Sequence, residues 1–390
     1  MRPFVCILIL LLSLNAAGQD HSFLVPLGPY EGISGNTGIA RHGSSGSVIY
    51  NPAGMSTIKS SKISASGSAF SQNNITIKNS DETDSIKYFQ STPTQISTIF
   101  VTPKFNWAFS ILVPRAYKYD QQGKSGDIDY IATVEDDETL FGASISSKAK
   151  SNFKYGLSIF ASRQLFNLTS SVYYEDNSGG VLVQSQKQKV NSTSLFPVLG
   201  FLYSPAKRYS IGVRISGPSI GLGGSLEDNL MIADNSDLAI GNFNQTKKSD
   251  AQFQKPLELG IGFSARLSER SRMLLDITNQ SGKNYVVAKE DAFGDELAKS
   301  YKNIQRFNFG FEYRTSTTDT LALGLMYNPD PEKDTNLNFM GATFGYHSIE
   351  KIADSSYGIF YNQASDTNDG SKTSFQMVGL FISSSINFMN

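Results

Sequence analysis

The residue types that most often carry chemistry are few in this sequence or widely scattered. It contains three histidines, His21, His42 and His347, and one cysteine, Cys6. They do not occur at the spacings that hold a metal ion, and no Gly-x-Ser-x-Gly element precedes a helical pattern, as it would in a serine hydrolase. A lone histidine near a strand end is more often a satisfied polar side chain than a catalytic base. We therefore predict no enzyme, no catalytic residue, no metal and no cofactor.

Charged residues of both signs share one face of the alternating pattern in the C-terminal half. The charges on that face are Arg214, Glu258, Arg266, Arg272, Asp276, Arg306, Glu312 and Arg314. One interpretation is that they pair with one another inside a polar interior. The other is that an arginine binds a ligand carboxylate as a charge-assisted pair. The candidates for that role are Arg214, Arg266, Arg306 and Arg314, and the pattern does not choose among them.

Apolar residues also occur in the long connection from Gly217 to Asp250. Leu226, Leu230, Met231 and Ala233 are spaced to line one side of a short amphipathic helix, and Leu238, Ile240 and Phe243 follow. An external loop has no core of its own in which to bury such residues. They pack on neighbouring loops, or they form a groove for an acyl chain, which would contribute about 0.8 kcal/mol for each buried methylene.

The stretch from Gly35 to Ile58, GNTGIARHGSSGSVIYNPAGMSTI, is polar, rich in glycine and too irregular for a helix or a strand. Its tetrapeptide Asn51-Pro52-Ala53-Gly54 predicts a turn, because proline presets φ at the second position and asparagine bonds to its own backbone. We expect Asn51 to tie this segment to its surroundings through the side-chain amide, which offers two donors and an acceptor. Everything after the segment has the pattern of β-strands.

The GNTGIAR run followed by YNPAGM, just ahead of the first strand, resembles the N-terminal hatch of the outer-membrane long-chain fatty-acid and hydrophobic-compound transporter family. The stretch TPTQISTIFVTPKFNWAFSILVP, residues 92–114, is similar to the second and third strands of that family. The resemblance implies a barrel of fourteen strands in which an Asn-Pro-Ala motif anchors a hatch. The chain departs from outer-membrane barrels at its end, Phe388-Met389-Asn390, where an aromatic residue is usual.

Alternation of apolar and polar residues in segments of about ten is the pattern of strands that cross a bilayer at a tilt. It is clearest from Arg306 to Arg314, where Phe307, Phe309 and Phe311 alternate with polar residues or glycine. The sequence predicts fourteen antiparallel strands: 62–71, 94–102, 106–117, 138–147, 152–163, 192–203, 208–217, 252–265, 271–280, 305–315, 319–327, 338–347, 355–363 and 375–388. Their connections alternate between long and short, as in a bacterial outer-membrane barrel and unlike a soluble sandwich.

The first residues form a separate targeting segment. Arg2 precedes an apolar run from Phe4 to Leu14, and small residues follow, which is the layout of a secretory signal peptide. We predict a signal peptide over 1–18, a periplasmic or lumenal hatch over 19–60 and a multi-pass barrel over 61–390 in the outer membrane of a Gram-negative cell. Removal of Arg2 leaves 33 basic and 35 acidic residues, so nucleic-acid binding is not indicated.

Three functions fit this organisation. The first is passive transport of hydrophobic small molecules such as long-chain fatty acids through the plugged barrel, with outer-membrane lipid around it. The second is a structural or docking barrel of the same fold that serves a secretion or surface partner. A general porin ranks lowest, because a segment of roughly forty residues ahead of the first strand would block a free channel. The sequence does not indicate an oligomeric state.

Overall fold

A computed structural model gives the structure of the chain. It describes residues 25–78, 83–125, 128–176, 179–235, 241–291, 296–333, 336–368 and 371–389. The predicted signal peptide, His21, Leu238 and Ile240 lie outside the described residues. No helix of the described part is long and apolar enough to cross a membrane.

The chain enters the fold through the hatch, which we define as residues 25–60. It contains a short helix α1, Ser47–Tyr50, and a 3-10 helix, Pro52–Thr57, and turns connect the rest. Almost every hatch residue is buried, including polar ones such as Glu31 and Arg41. The segment is therefore enclosed by the rest of the molecule.

In the described part of the chain, eighteen strands follow the hatch. They are β1 Ser61–Lys78, β2 Thr83–Val101, β3 Phe105–Ser125, β4 Ile128–Lys150, β5 Phe153–Glu175, β6 Val181–Ala206, β7 Tyr209–Ser216, β8 Ile220–Asp234, β9 Phe243–Asp250, β10 Glu258–Arg266, β11 Ser271–Gln280, β12 Lys283–Ala288, β13 Leu297–Tyr301, β14 Ile304–Arg314, β15 Asp319–Asn328, β16 Phe339–Ile349, β17 Ala353–Asn368 and β18 Ser371–Met389.

Fourteen of these strands close into an antiparallel barrel, as the sequence predicts. The order around the wall is β1 to β7, then β10, β11 and β14 to β18, and β18 pairs with β1 through Ile63 and Ile386. Six connections of two to four residues, after β2, β4, β6, β10, β14 and β16, lie at one end of the barrel, which we call the short-turn end. At the opposite end, which we call the long-loop end, the connections that contain β8–β9 and β12–β13 and the one after β15 are longer, but those after β1, β3, β5 and β17 span only two to five residues because the strands themselves are long. The expected alternation of long and short connections is therefore only partly present. The hatch enters the wall, and the last strand ends, at the short-turn end.

The outer surface of the wall carries an apolar belt to which every barrel strand contributes. One exposed member from each strand, in wall order, is Ile63, Ile96, Phe109, Ile145, Ile159, Leu199, Ile211, Ile261, Leu275, Phe307, Leu325, Phe344, Ile359 and Leu380. Aqueous surfaces rarely carry an apolar zone of this extent. A closed barrel also satisfies all ladder groups internally, as a bilayer demands. The architecture is a transmembrane barrel with a plug.

Several strands run well beyond the predicted ten residues. The sixth strand was expected over 192–203, but β6 covers 26 residues. The reason is visible in β4, where the apolar face changes sides along the strand. Its inward residues include Tyr130, Ala132 and Val134 toward the long-loop end, and Gly142, Ser144 and Ser146 toward the short-turn end. The lengthened strands thus leave the membrane zone and enclose an apolar core in water.

The connection between β7 and β10 is the hairpin β8–β9, so the amphipathic helix expected there is wrong. β8 pairs with β6 along Leu182 to Leu195, which extends the sheet above β7. Alternating residues of a paired strand face opposite sides, so a helical grouping of side chains does not form. A second hairpin, β12–β13, packs Tyr285 and Tyr301 into the apolar core of the long-loop end.

Candidate functional site

The Asn51 side chain joins the hatch to the wall. Its Oδ1 accepts a hydrogen bond from the Ala53 backbone N–H at 3.1 Å, which caps the 3-10 helix that Pro52 opens. Its Nδ2 donates to the carbonyl of Ile39 at 2.6 Å and to the carbonyl of Phe201 in β6 at 2.9 Å. One buried amide therefore fixes a turn, a second part of the hatch and a wall strand at once.

Eight wall glycines lie beneath the hatch and form what we call the glycine seam. Cross-strand pairing brings them together as Gly156 with Gly200, Gly212 with Gly262, Gly310 with Gly324, and Gly345 with Gly358. Each pair offers a patch of bare backbone on the inner surface. The hatch residues that lie on the seam are Ile33 to Ala40 and Asn51 to Ala53.

The seam brings hatch and wall closer than any other residue type would allow. A Cβ atom at Gly200 would lie 2.1 Å from Asn51 Oδ1, and one at Gly212 would lie 1.9 Å from the Ile39 carbonyl oxygen. Glycine suits close approach of two backbones because it has no Cβ. Sequence reasoning missed this seam, although a signal is present: eight strands each place a glycine on the inner face three to six residues from their short-turn end.

Wall side chains also bond directly to hatch backbone groups. Asp276 accepts from the N–H groups of Gly38 at 2.7 Å and Ile39 at 3.0 Å. Further wall donors are Gln95 to the Ser45 carbonyl, Asn106 to Met55, Ser158 to Val48, Asn308 to Asn36 and Thr343 to Ile33. An irregular buried segment needs such partners, since it has no ladder of its own. The hatch is thus held by side chains around the whole circumference.

A buried ion pair adds to these bonds. Arg41 of the hatch lies with Nη1 2.6 Å from Oε1 of Glu312 in β14, and with Nε 3.9 Å from Oε1 of Glu31. Arg272 of β11 approaches the same Glu312 at 3.5 Å. Removing one member of such a buried pair would leave an uncompensated charge, which costs about 3–5 kcal/mol. Arg41 was not among the predicted charges, because the alternation that identified them does not extend into the hatch.

The four predicted lumenal arginines divide into two groups. Arg214 and Arg306 are buried and both contact Glu258, with Arg214 Nη1 2.7 Å from Oε2. Arg214 Nε also donates to the Ile49 carbonyl of the hatch at 3.0 Å. Arg266 and Arg314 lie instead at the exposed short-turn end of their strands. The structure therefore brings two of the four together, about one carboxylate.

A small cavity of about 30 Å³ lies beside these two groups, between hatch and wall. Apolar lining comes from Ile49, Pro114, Leu140 and Phe196, and polar lining comes from Arg214, Ser216, Lys255, Glu258 and Gln280. Lys255 is paired with Glu138 at 2.7 Å and stands over the Phe196 ring. The cavity therefore has one hydrocarbon side and one ionic side, which is the lining an amphiphile requires.

The wall is interrupted next to this cavity. β2 and β3 pair from Val101 with Asn106 as far as Gln95 with Leu112, and no further pair joins the described parts of these strands beyond that point. β3 shifts register against β4 between Leu112 and Arg115, at the cavity residue Pro114. Proline cannot donate to a ladder, which favours such a break. The side chain of Gln90 crosses the gap to the Ala116 carbonyl at 2.6 Å.

The predicted loop groove is divided between the two faces of the hairpin. Leu226 and Leu230 of β8 are buried against the interior, whereas Met231 is 44% exposed and Phe243 is 42% exposed. These four residues do not share one surface. Leu238 and Ile240 belong to the undescribed tip of the hairpin.

The two described histidines lie beside serine hydroxyl groups and not within a cluster of potential metal ligands. Nε2 of His42 lies 2.8 Å from Ser210 Oγ and 3.2 Å from Ser204 Oγ, and Nδ1 of His347 lies 2.8 Å from Ser356 Oγ. Burial, with Lys154 and Arg272 nearby, lowers the pKa of His42 to about 4. The described residues contain no group of three or more potential metal ligands.

Comparison with known proteins agrees with this architecture. No protein-family model matches the sequence, and no curated protein shows significant similarity to it. Solved structures match over nearly the whole chain. A FadL homologue from Pseudomonas aeruginosa aligns with a TM-score of 0.72 and 13% identity, and covers 94% of this chain and 100% of its own. The toluene transporter TodX from Pseudomonas putida aligns with a TM-score of 0.72 and 16% identity, and the alignment covers 94% of this chain and 100% of TodX.

A third match is the toluene transporter TbuX from Ralstonia pickettii, with a TM-score of 0.69, 17% identity and coverage of 94% and 99%. TodX and TbuX are described as toluene transporters. At such identities the likeness shows a shared fold over nearly the whole chain.

Proposed function

We propose that the protein carries hydrophobic small molecules passively across the outer membrane through its plugged barrel. The observation that carries this proposal is the two-sided cavity beside the hatch, with Leu140 and Phe196 on one side and Arg214 and Lys255 on the other. The apolar belt supports a membrane location, and the short turns support an outer-membrane barrel with those turns in the periplasm. We further infer the division into a signal peptide over 1–18, a hatch over 19–60 and a barrel over 61–390.

The charges favour a ligand with an anionic head. Arg214 and Arg306 both contact the single carboxylate of Glu258, while Lys255 is matched by Glu138. Among these five side chains there is one cation more than the carboxylates neutralise; the nearby carboxylate of Asp276 accepts from the backbone N–H groups of Gly38 and Ile39. A ligand carboxylate would add a charge-assisted partner there, and its hydrocarbon tail would replace solvent against Leu140 and Phe196, at about 25 cal/mol per Å² of apolar area. A long-chain fatty acid has both parts, and because the cavity of about 30 Å³ is far smaller than an acyl chain, the hatch would have to shift to admit it.

The hatch blocks simple diffusion, which disfavours a general porin. Its bonds to the wall are mainly single hydrogen bonds, each worth about 0.5–1.5 kcal/mol net, so local rearrangement next to the cavity has a modest cost. The interruption between β2 and β3 offers a second way out of the cavity toward the lipid. No catalytic role is proposed.

Uptake of a radiolabelled long-chain fatty acid, and separately of toluene, tests the proposal. A strain that lacks the protein should take up either compound more slowly than one that produces it. The matched variants are Arg306→Gln, at the cavity cluster, and Arg314→Gln, exposed on the same strand. We expect Arg306→Gln to reduce fatty-acid uptake severalfold while toluene uptake is retained, and Arg314→Gln to change neither.

Equal uptake with and without the protein, for both compounds, would contradict transport and favour a docking barrel. Equal effects of Arg306→Gln on both compounds would leave transport in place but remove the anionic head from the ligand description. Surface level and heat-resistant electrophoretic mobility must match among the strains.

A further inference from the structure

The short-turn end of the barrel carries a ring of exposed cations, which we call the basic rim. Its ten members are Lys59, Lys104, Lys148, Lys150, Lys207, Arg208, Arg266, Arg270, Arg314 and Lys351. They occur on all six short turns and on the hatch segment that leads into β1. The acidic residues at the surface of the same described segments are Glu269, Asp319 and Glu350, so cations still outnumber them by more than three to one. This excess stands out in a chain whose net charge is −1.

Within the part of the chain that the structure describes, the rim cations form no ion pair. Among the described residues, the ion pairs at this end involve the buried Lys62 and Arg41 and the partly buried Arg272. None of the ten rim side chains lies within 4 Å of a carboxylate of a described residue. Ten unpaired like charges on one ring repel one another, so an anionic partner would be stabilising there.

The rim lies at a defined depth relative to the bilayer. Exposed outward-facing aromatic residues mark the same end: Phe105, Tyr155, Tyr203, Tyr209, Tyr313, Tyr346, Tyr357 and Phe388. Such girdles sit at the level of lipid headgroups. Lys104 directly precedes Phe105, Arg208 directly precedes Tyr209, and Arg314 directly follows Tyr313. The cations therefore stand at the headgroup layer or immediately outside it.

We infer that the basic rim binds the headgroups of anionic phospholipids in the leaflet at the short-turn end, the periplasmic one. Two features favour lipid over an acidic protein partner. The cations follow the whole circumference, as the lipid shell does, whereas a soluble partner would contact one sector. They are also continuous with the aromatic girdle and the apolar belt. Basic residues beside a membrane surface attract anionic lipids in this way. The inference does not depend on what passes through the lumen.

Spin-labelled lipids in reconstituted vesicles test the inference. The full mature chain is placed in phosphatidylcholine vesicles, and the motionally restricted fraction of spin-labelled phosphatidylglycerol is compared with that of spin-labelled phosphatidylcholine. Both leaflets contain both lipids, so the orientation of insertion does not matter. We expect an enrichment of phosphatidylglycerol of about two- to threefold, which falls at high salt.

The rim variant is Lys207→Ser, Arg208→Ser, Arg266→Ser and Arg270→Ser combined. A matched variant removes four exposed lysines of the long-loop half, Lys118, Lys187, Lys189 and Lys289. The enrichment should fall by about half or more in the rim variant and persist in the matched one. Heat-resistant mobility on gels confirms that both barrels are folded.

Equal restricted fractions of the two lipids around the unaltered protein would overturn the inference. So would an enrichment that survives in the rim variant, or one that only the long-loop variant abolishes. An acidic periplasmic protein that co-purifies with the unaltered chain and is lost with the rim variant, without any lipid enrichment, would assign the rim to that partner instead.

Discussion

At the scale of single residues, the hatch is held by side chains that serve several backbone groups at once. Asn51 satisfies three such groups through one amide, and Asp276 satisfies two through one carboxylate oxygen. A buried backbone group without a partner costs about 1–3 kcal/mol. The position of the hatch is therefore sensitive to changes that preserve side-chain size but alter donors and acceptors.

Asn51→Asp tests that sensitivity with almost no change of shape. The carboxylate keeps an acceptor for Ala53 N–H, but its second oxygen would face the carbonyls of Ile39 and Phe201. We expect hatch docking to weaken by about 3 kcal/mol, from two lost donors and a repulsive contact. Limited proteolysis from the short-turn side should cut the hatch while the barrel keeps its heat-resistant mobility. Asn152→Asp, in a short turn, adds the same charge as a control, and equal protection of the two variants would refute the prediction.

His42 gives the hatch a dependence on pH. Its pKa is lowered from 6.5 to about 4 by burial and by Lys154 and Arg272. A histidine whose folded-state pKa is depressed stabilises the docked form above pH 6.5, and that contribution is lost as the pH falls toward 4. We expect protease access to the hatch to rise over this interval in the parent protein. In His42→Gln the rise should be smaller; an identical pH profile would show that His42 does not control it.

At the scale of elements, alternation predicted the fourteen barrel strands because each of them presents an apolar face to lipid. The same rule underestimated their length, because the apolar face moves to the inside of β4 beyond the membrane. It also failed to predict that residues 220–234 form a strand. This strand, β8, is held by pairing with β6 and with its hairpin partner β9. Pairing partners distant in sequence decided these segments, and a single segment does not reveal its partner.

The glycine seam links strands to hatch, and it can be tested at one strand. Gly200→Ala would place a methyl group 2.1 Å from Asn51 Oδ1, and overpacking of this kind costs about 1–3 kcal/mol. We expect a folded, heat-resistant barrel whose hatch is open to protease. Gly67→Ala is the matched control, because the three atoms nearest to its methyl group, at 3.0 Å or more, would belong to Thr92 and Pro93 of the wall and not to the hatch. If the hatch resists protease equally in both variants, the glycine seam does not position the hatch.

At the scale of the whole molecule, the chain closes its lumen at two levels. The hatch fills the membrane zone on the glycine seam, and the hairpin β12–β13 packs into the apolar core of the long-loop end. The turn around Asn51 was predictable from local sequence. The Arg41 ion pair and the two-sided cavity were not, because each joins residues that meet only when the barrel closes. The seam glycines recur on eight strands of the sequence, but their contact with the hatch also forms only on closure.

Accessibility of the cavity distinguishes a movable hatch from a fixed cork. Ser216 lines the cavity and is 5% exposed, and the only cysteine of the sequence, Cys6, lies in the predicted signal peptide. A Ser216→Cys substitution therefore gives a single buried thiol. We expect this thiol to react slowly with a charged thiol reagent in the otherwise unaltered protein. When Asn51→Asp and Glu312→Gln weaken hatch docking, the reaction should be at least about tenfold faster. The reason is that a loss of about 1.4 kcal/mol of docking free energy multiplies the population with an open hatch by ten. Thr317→Cys, in an exposed turn, sets the upper rate. A buried thiol that stays equally slow after both docking changes would mean that the hatch does not open the cavity, and a ligand would then have to leave through the gap between β2 and β3.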